Sequence, residues 1–304
     1  MALKGAYKLN GIPMQGEEMT TGPIMFVHSG TGSSGNSGLD PLHPMALVDE
    51  AINKFDSTND ASRGATIYVM EGHAESLGDN ATSLVPDLAG LSIIGLGHGS
   101  DMPEITFAGT SSSINVQAAN TTFKNLRFIA GISAVAVGVD VSADHFTMDS
   151  CMTDFASTGL DFVIHVNIDA VDYATIKNCR FIAQNATAGS NDGIRLDDCH
   201  HVRIEGNYFS GDFARAAIIG ETAAGNSLLI LHNYIHNDDA AAASNGIDLN
   251  IGFTGMIVEN TIFSLYNTNC ATLIDPGACG MSQNWTVNSE DQYAINTAVG
   301  AAST

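Results

Sequence analysis

Ala174-Thr175-Ile176-Lys177-Asn178-Cys179-Arg180-Phe181 is followed, 28 residues later, by Val202-Arg203-Ile204-Glu205-Gly206-Asn207-Tyr208-Phe209. Each stretch alternates apolar and polar residues, meets a small polar residue, and ends on a large apolar one. The same order is found in Thr121 to Phe128, Leu228 to Ile235 and Met256 to Phe263. It is found with a weaker tail in Phe146 to Thr153, and in outline at Ala65-Thr66-Ile67 and Leu91-Ser92-Ile93. With the second apolar position as anchor, the units fall at 67, 93, 123, 148, 176, 204, 230 and 258. The intervals of 25 to 30 residues leave no room for a helix in each unit. Several units carry a second alternating strand: Val139-Asp140-Val141, Val166-Asn167-Ile168, Ile194-Arg195-Leu196 and Ile247-Asp248-Leu249. Such a period in short strands predicts an all-β solenoid of about eight coils, each lying about 4.8 Å above the last.

Stacked coils place equivalent residues in ladders. Five positions after the anchor, Phe128, Phe181, Phe209, Ile235 and Phe263 are expected to form an inward core ladder, interrupted at Thr153. Two positions after it stand Asn125, Ser150, Asn178, Gly206, His232 and Asn260, mostly the residue types that tight turns favour. One position after it, Lys124, Asp149, Lys177 and Glu205 alternate in sign, as cross-strand pairing favours. Cys151 and Cys179 are expected as stacked neighbours.

Composition bounds the function. There are 33 acidic residues against 11 basic ones, a formal net charge of −22. Nucleic-acid binding requires clustered Lys and Arg, so this balance excludes it. The longest apolar runs, such as Ile132 to Val139, are shorter than the ~18 residues of a membrane span. No apolar core of signal-peptide length follows Met1, so folding in a cytosol is expected. Five scattered cysteines read as reduced thiols, with a Cys270–Cys279 loop as the alternative.

In this pattern the chain resembles the right-handed parallel β-helix class of pectate lyases, polygalacturonases and phage tailspikes. The opening adds to the likeness. A Gly/Ser-rich turn from Gly30 to Gly38 precedes Pro41-Leu42-His43-Pro44, a helix from Met45 to about Phe55, and a first coil ending in Gly72-His73-Ala74-Glu75. This looks like the start of β-helical virion proteins of tailed phages. Leu47, Val48, Ala51, Ile52 and Phe55 form one apolar face able to plug the open end of the stack. The organisation expected is an arm over 1–24, turn and capping helix over 25–64, β-helix over 65–265, and C-terminal cap and tail over 266–304.

Candidate chemistry is sparse. Asn191-Asp192 with Asp197-Asp198 is similar to the acidic motifs of polygalacturonases, but their spacing differs, and Gly193-Ile194-Arg195-Leu196 repeats as Gly246-Ile247-Asp248-Leu249, a wall element. If the protein is enzymatic, Asp169 and Asp197 are the candidate pair, one coil apart and close to the roughly 5 Å of retaining glycosidases, with Glu221 next in line. The same pair could ligate Ca²⁺, or be a solvated acidic strip with Arg195 as its neighbour. His200, His201, His232 and His236 occupy different columns, so no metal or cofactor is expected. Trp285 alone offers no stacking platform.

The flanks read as assembly elements. The arm, with Leu3, Tyr7, Leu9, Ile12 and Met14, cannot bury a core alone and is expected to lie on a neighbour. The sequence therefore predicts a non-enzymatic virion protein assembled in the host cytoplasm. It is read as a capsid decoration (cement) protein, a homotrimer bound to the major capsid or another virion protein. The alternative is a tail fibre or spike that binds or cleaves polysaccharide through the carboxylate strip.

Overall fold

The computed structural model describes residues 7–9, 12–14, 22–57, 64–79, 84–184, 189–221, 224–239, 245–264, 273–287 and 293–296. Three parallel sheets wind around one continuous apolar core. The first runs in order from Ile24–Val27 through Thr66–Val69 to Gly280–Ser282, in ten strands. The second runs from Ala74–Leu77 to Asn284–Val287, and Tyr293–Asn296 adds one antiparallel strand at its end. The third has seven strands, from Ile114–Val116 to Ile274–Asp275. The stack thus makes about seven full three-sheet turns and extends one layer beyond 65–265 at each end.

The anchors lie in one register line: Ile67, Ile93, Phe123, Met148, Ile176, Ile204 and Ile230. The next member is Ile257 rather than Val258. That one-residue slip also corrects the core ladder. Phe128, Thr153, Phe181, Phe209 and Ile235 are in register and buried, but the position above Ile235 belongs to Ile262. Phe263 pairs with His236 and is half-buried on the outer face. A slip of one residue reverses inside and outside, because side chains alternate along a strand.

From the Phe123 coil onward, the corner between the first and second sheets is made at a residue in the left-handed region: Asn125, Ser150, Asn178, Gly206, His232, Glu259 and Gln283, with φ between 53° and 65°. Glu259 therefore holds the corner that the sequence pattern assigned to Asn260. Asn260 instead joins a buried column directly after the corner, with Asn207, Asn233 and Asn284. Each side-chain oxygen accepts the backbone N–H of the column residue one coil below, Cys179 for Asn207 and an Asn for the other three, at 2.9–3.0 Å. Each side-chain amide from 207 to 260 donates to the Asn above, and all four donate to backbone carbonyls in the coil below. Below them the column holds Cys151 and Cys179, both buried free thiols. Cys279 is likewise a free thiol, while Cys270 lies outside the described residues.

Outside the first sheet, Lys124, Asp149, Lys177 and Glu205 stand in register, with Lys177 Nζ 3.5 Å from Asp149. The helix Val48–Ser57 begins later than expected. Val48, Ala51, Ile52 and Phe55 are buried in the core, while Leu47, just before it, is exposed. Glu75 accepts the N–H of Val48 at 2.9 Å, meeting the helix's free donors and positive end. His73 Nδ1 accepts Ser29 N–H, so its Nε2 donates to Glu75 at 3.0 Å. The Gly-His-x-Glu stretch is thus a fastening between first coil and plug. Among the described residues, no helix is long and apolar enough to cross a membrane.

Candidate functional site

Asp169 and Asp197 face each other in register at the ends of Phe162–Asp169 and Ser190–Asp197, Asp169 exposed and Asp197 half-buried. Glu221 follows one coil above, because Gly220 pairs with Leu196. The cation beside these groups differs from expectation. Arg195 donates to Asn167 Oδ1 at 2.8 Å, and Asn167 donates to Asp140 at 2.8 Å, a relay running down the outer wall. Arg215 reaches only the upper end of the column. It pairs with Glu221 and lies 3.2 Å from Asp192 Oδ1. Asp192 is fully buried, and burial pushes its carboxyl up to about 6, against the pull of Arg215 and Arg195. A carboxyl so covered holds a wall together and has no face open to a substrate.

The Gly-Ile-x-Leu stretches do recur as wall elements. Gly193 and Gly246 occupy one column, through Ala217. A Cβ at Gly193 would lie 2.5 Å from the Ala217 carbonyl and 3.0 Å from the Phe209 ring, so close coil contact requires glycine there.

A second polar group lies inside the stack. His165 is fully buried among Phe162, Phe181 and Phe213. Its ring nitrogens lie 2.6 Å from Thr153 Oγ1 and 2.7 Å from Ser190 Oγ. Ser190 donates to Asp161 at 2.7 Å, so it accepts from His165 Nε2, and Nδ1 accepts from Thr153. Burial holds His165 neutral, its pKa lowered to about 3, and raises Asp161 to about 6. Serine stands between His and Asp here, and all three are buried. The arrangement braces the core and lacks the order and access of a nucleophilic triad.

The histidines named in the sequence lie apart. His201 stacks on Tyr173, whose other face meets His145, with ring centroids 4.6 and 4.8 Å away. His232 bonds Glu259 at 2.7 Å and His236 lies 3.0 Å from Asp238. Among the described residues no three His, Cys, Asp or Glu side chains converge on a metal position.

The outer face of the second sheet holds what the sequence reading missed. Arg127, Met152, Arg180, Tyr208, Tyr234, Thr261 and Trp285 form one column. Arg127 is held between Glu104 and Asp154. Arg180 lies over the Tyr208 ring, which stacks on Tyr234 at 5.3 Å. Trp285, exposed, lines a cavity of about 470 Å³ with Glu259, Thr261 and Gln283. Trp285 shares its column with Tyr208 and Tyr234, but Thr261 stands between it and Tyr234.

Three solved structures share this winding. The pectin methylesterase from Aspergillus niger superposes with a TM-score of 0.55 at 14% identity, over 93% of this chain and 92% of that one. A pectate lyase from Bacillus sp. N165 gives 0.54 at 15% identity, over 94% and 90%. The fold is the pectate-lyase-like right-handed parallel β-helix. A rhamnogalacturonan lyase gives 0.51 at 12% identity, over 88% of this chain and 74% of that one. At such identities the likeness is one of architecture alone. No family model and no curated protein matches the chain.

Proposed function

We propose that this β-helix is a non-enzymatic structural protein of a phage virion, a capsid decoration protein that attaches through residues 1–24 and assembles as a homotrimer. One observation carries the reading. Tyr7–Leu9 and Ile12–Met14 pair antiparallel with each other and join none of the three solenoid sheets. Two-stranded hairpins of this length are marginal in water and gain stability on a second surface. Four of the expected contact residues, Tyr7, Leu9, Ile12 and Met14, lie on these strands, while Leu3 lies outside the described residues. The acidic exterior also suits a repulsive, soluble particle surface.

Deleting residues 2–22 should abolish incorporation into particles while leaving the far-ultraviolet dichroism of the β-helix unchanged. Undiminished capsid binding by the deleted protein would remove the arm from this role.

The register of Asp169 and Asp197 supports a second reading, a spike-like protein that binds or cleaves polysaccharide there. The Asp169→Asn, Asp197→Asn double variant should assemble as the parent does. Loss of a measured glycan-cleaving activity in that variant would establish the enzymatic reading in its place.

A further inference from the structure

The C-terminal end of the second sheet carries a cavity whose lining is unlike the rest of the wall. Lower on the same face the large side chains contact one another: Tyr208 lies against Arg180 and Tyr234, and Tyr234 against Phe263 of the neighbouring column at 5.3 Å. Thr261 interrupts that succession. It is small, and it stands in register between Tyr234 and Trp285. The gap it leaves opens beside the Trp285 side chain, which is 47% exposed. On the corner side the cavity is bounded by Glu259 and Gln283, consecutive members of the left-handed column. His232, one coil below, donates from Nε2 to Glu259 at 2.7 Å and lies 4.0 Å from Glu205.

This lining matches one kind of ligand. An indole offers an apolar face, and the carboxylate, primary amide and hydroxyl around it offer directional hydrogen bonds. A pyranose ring has the complementary character, with a C–H face and a rim of hydroxyl groups. About 470 Å³ lies within the range of small-molecule sites and holds one or two such rings. Charge narrows the class further. The lining contains no Lys or Arg among the described residues, and Glu259 brings a carboxylate to it. Anionic sugars are repelled, and neutral hexoses or N-acetylhexosamines are favoured.

We propose that the cavity formed by Glu259, Thr261, Gln283 and Trp285 is a binding site for a neutral sugar unit of a glycan chain. The site shares no lining residue with the Asp169–Asp197 column, and it stands whether or not the protein decorates a capsid.

Trp285 is the sole tryptophan of the chain, so its emission reports on this site directly. The full-length protein is titrated with N-acetylglucosamine trimer and cellotetraose, and in parallel with trigalacturonate. A saturable change in emission is expected with at least one neutral oligosaccharide and a weaker response to trigalacturonate. Glu259→Gln and Gln283→Ala keep the reporter, and each should weaken binding about tenfold, the worth of one hydrogen bond lost in the site. Trp285→Ala should abolish binding by calorimetry while its dichroism matches the parent. Three results would each overturn the proposal: no saturable response to any neutral oligosaccharide up to its solubility limit, tighter binding of trigalacturonate, or unchanged affinity in both reporter-bearing variants.

Discussion

Replacing Asn233 with leucine is expected to destabilise the protein by about 3–5 kcal/mol. Asn233 sits in the middle of the buried amide column. Its oxygen accepts both the backbone N–H and the side-chain amide of Asn207, and its own amide donates to Ile204 O and Asn260 Oδ1. Leucine fills much of the space but leaves the Asn207 N–H without this acceptor and the Ile204 carbonyl without this donor. Buried groups orphaned in this way cost about 1–3 kcal/mol each. The damage should be local, because a solenoid coil touches only its neighbours. Hydrogen exchange should therefore accelerate across Arg203–Glu205, Leu228–Leu231 and Gly255–Val258, with little change in Thr122–Lys124. A loss below about 1 kcal/mol in denaturant unfolding would mean that the column is ornamental to stability.

The second large effect concerns His165 and depends on pH. His165→Leu should cost about 2–4 kcal/mol at neutral pH, since Thr153 loses a hydrogen-bond partner and the tight aromatic packing is disturbed. On acidification the gap should close. Burial lowers the His165 pKa to about 3, so below its ordinary value of 6.5 the unfolded chain binds a proton that the folded chain refuses. The wild type therefore gives up about 1.4 kcal/mol per pH unit as pH falls from 6.5 towards 3, and the leucine variant does not. Asp161, raised to about 6, runs in the opposite direction as pH falls, but it is present in both proteins and largely cancels in the comparison. Denaturant midpoints of the two proteins should converge near pH 4. A constant gap between pH 7 and pH 4 would show that His165 titrates normally.

Most of the wall was legible because one physical rule governs it. Parallel stacking repeats the inside–outside pattern every coil, so seven anchors, the Phe128–Phe181–Phe209 ladder and the Lys124–Asp149–Lys177 alternation could be read from spacing alone. The reading failed where two residues competed for one role. Val258 and Ile257 are both apolar, and only the corner geometry decides between them: Glu259 takes the left-handed conformation, and Asn260 is drawn inward by Asn233 and Asn284. The pairing of Asp169 with Asp197 was legible, since the strand spacing puts them in register. Arg215 was hidden by an irregular pairing, in which Ser190 and Asp192 face Phe213 and Ala216, two residues apart against three. The hairpin had a signal that went unused: Asn10-Gly11 between two alternating stretches is the sequence of a two-residue turn.

The left-handed corner has a consequence for how such a chain can change length. Asn, Ser, Gly, His, Glu and Gln all occupy it, so the position is chemically permissive, yet each must stand directly above the last. An inserted residue within a strand would carry the side chains after it to the opposite face as far as the next loop, which can absorb the change in length, as the unequal intervals between in-register anchors show. Whole coils, by contrast, can be gained or lost without disturbing phase, since every ladder simply acquires or drops a rung. Descendants of this chain should therefore differ in height by quanta of about 27 residues, or by additions to the loops between sheets, and only rarely by anything in between.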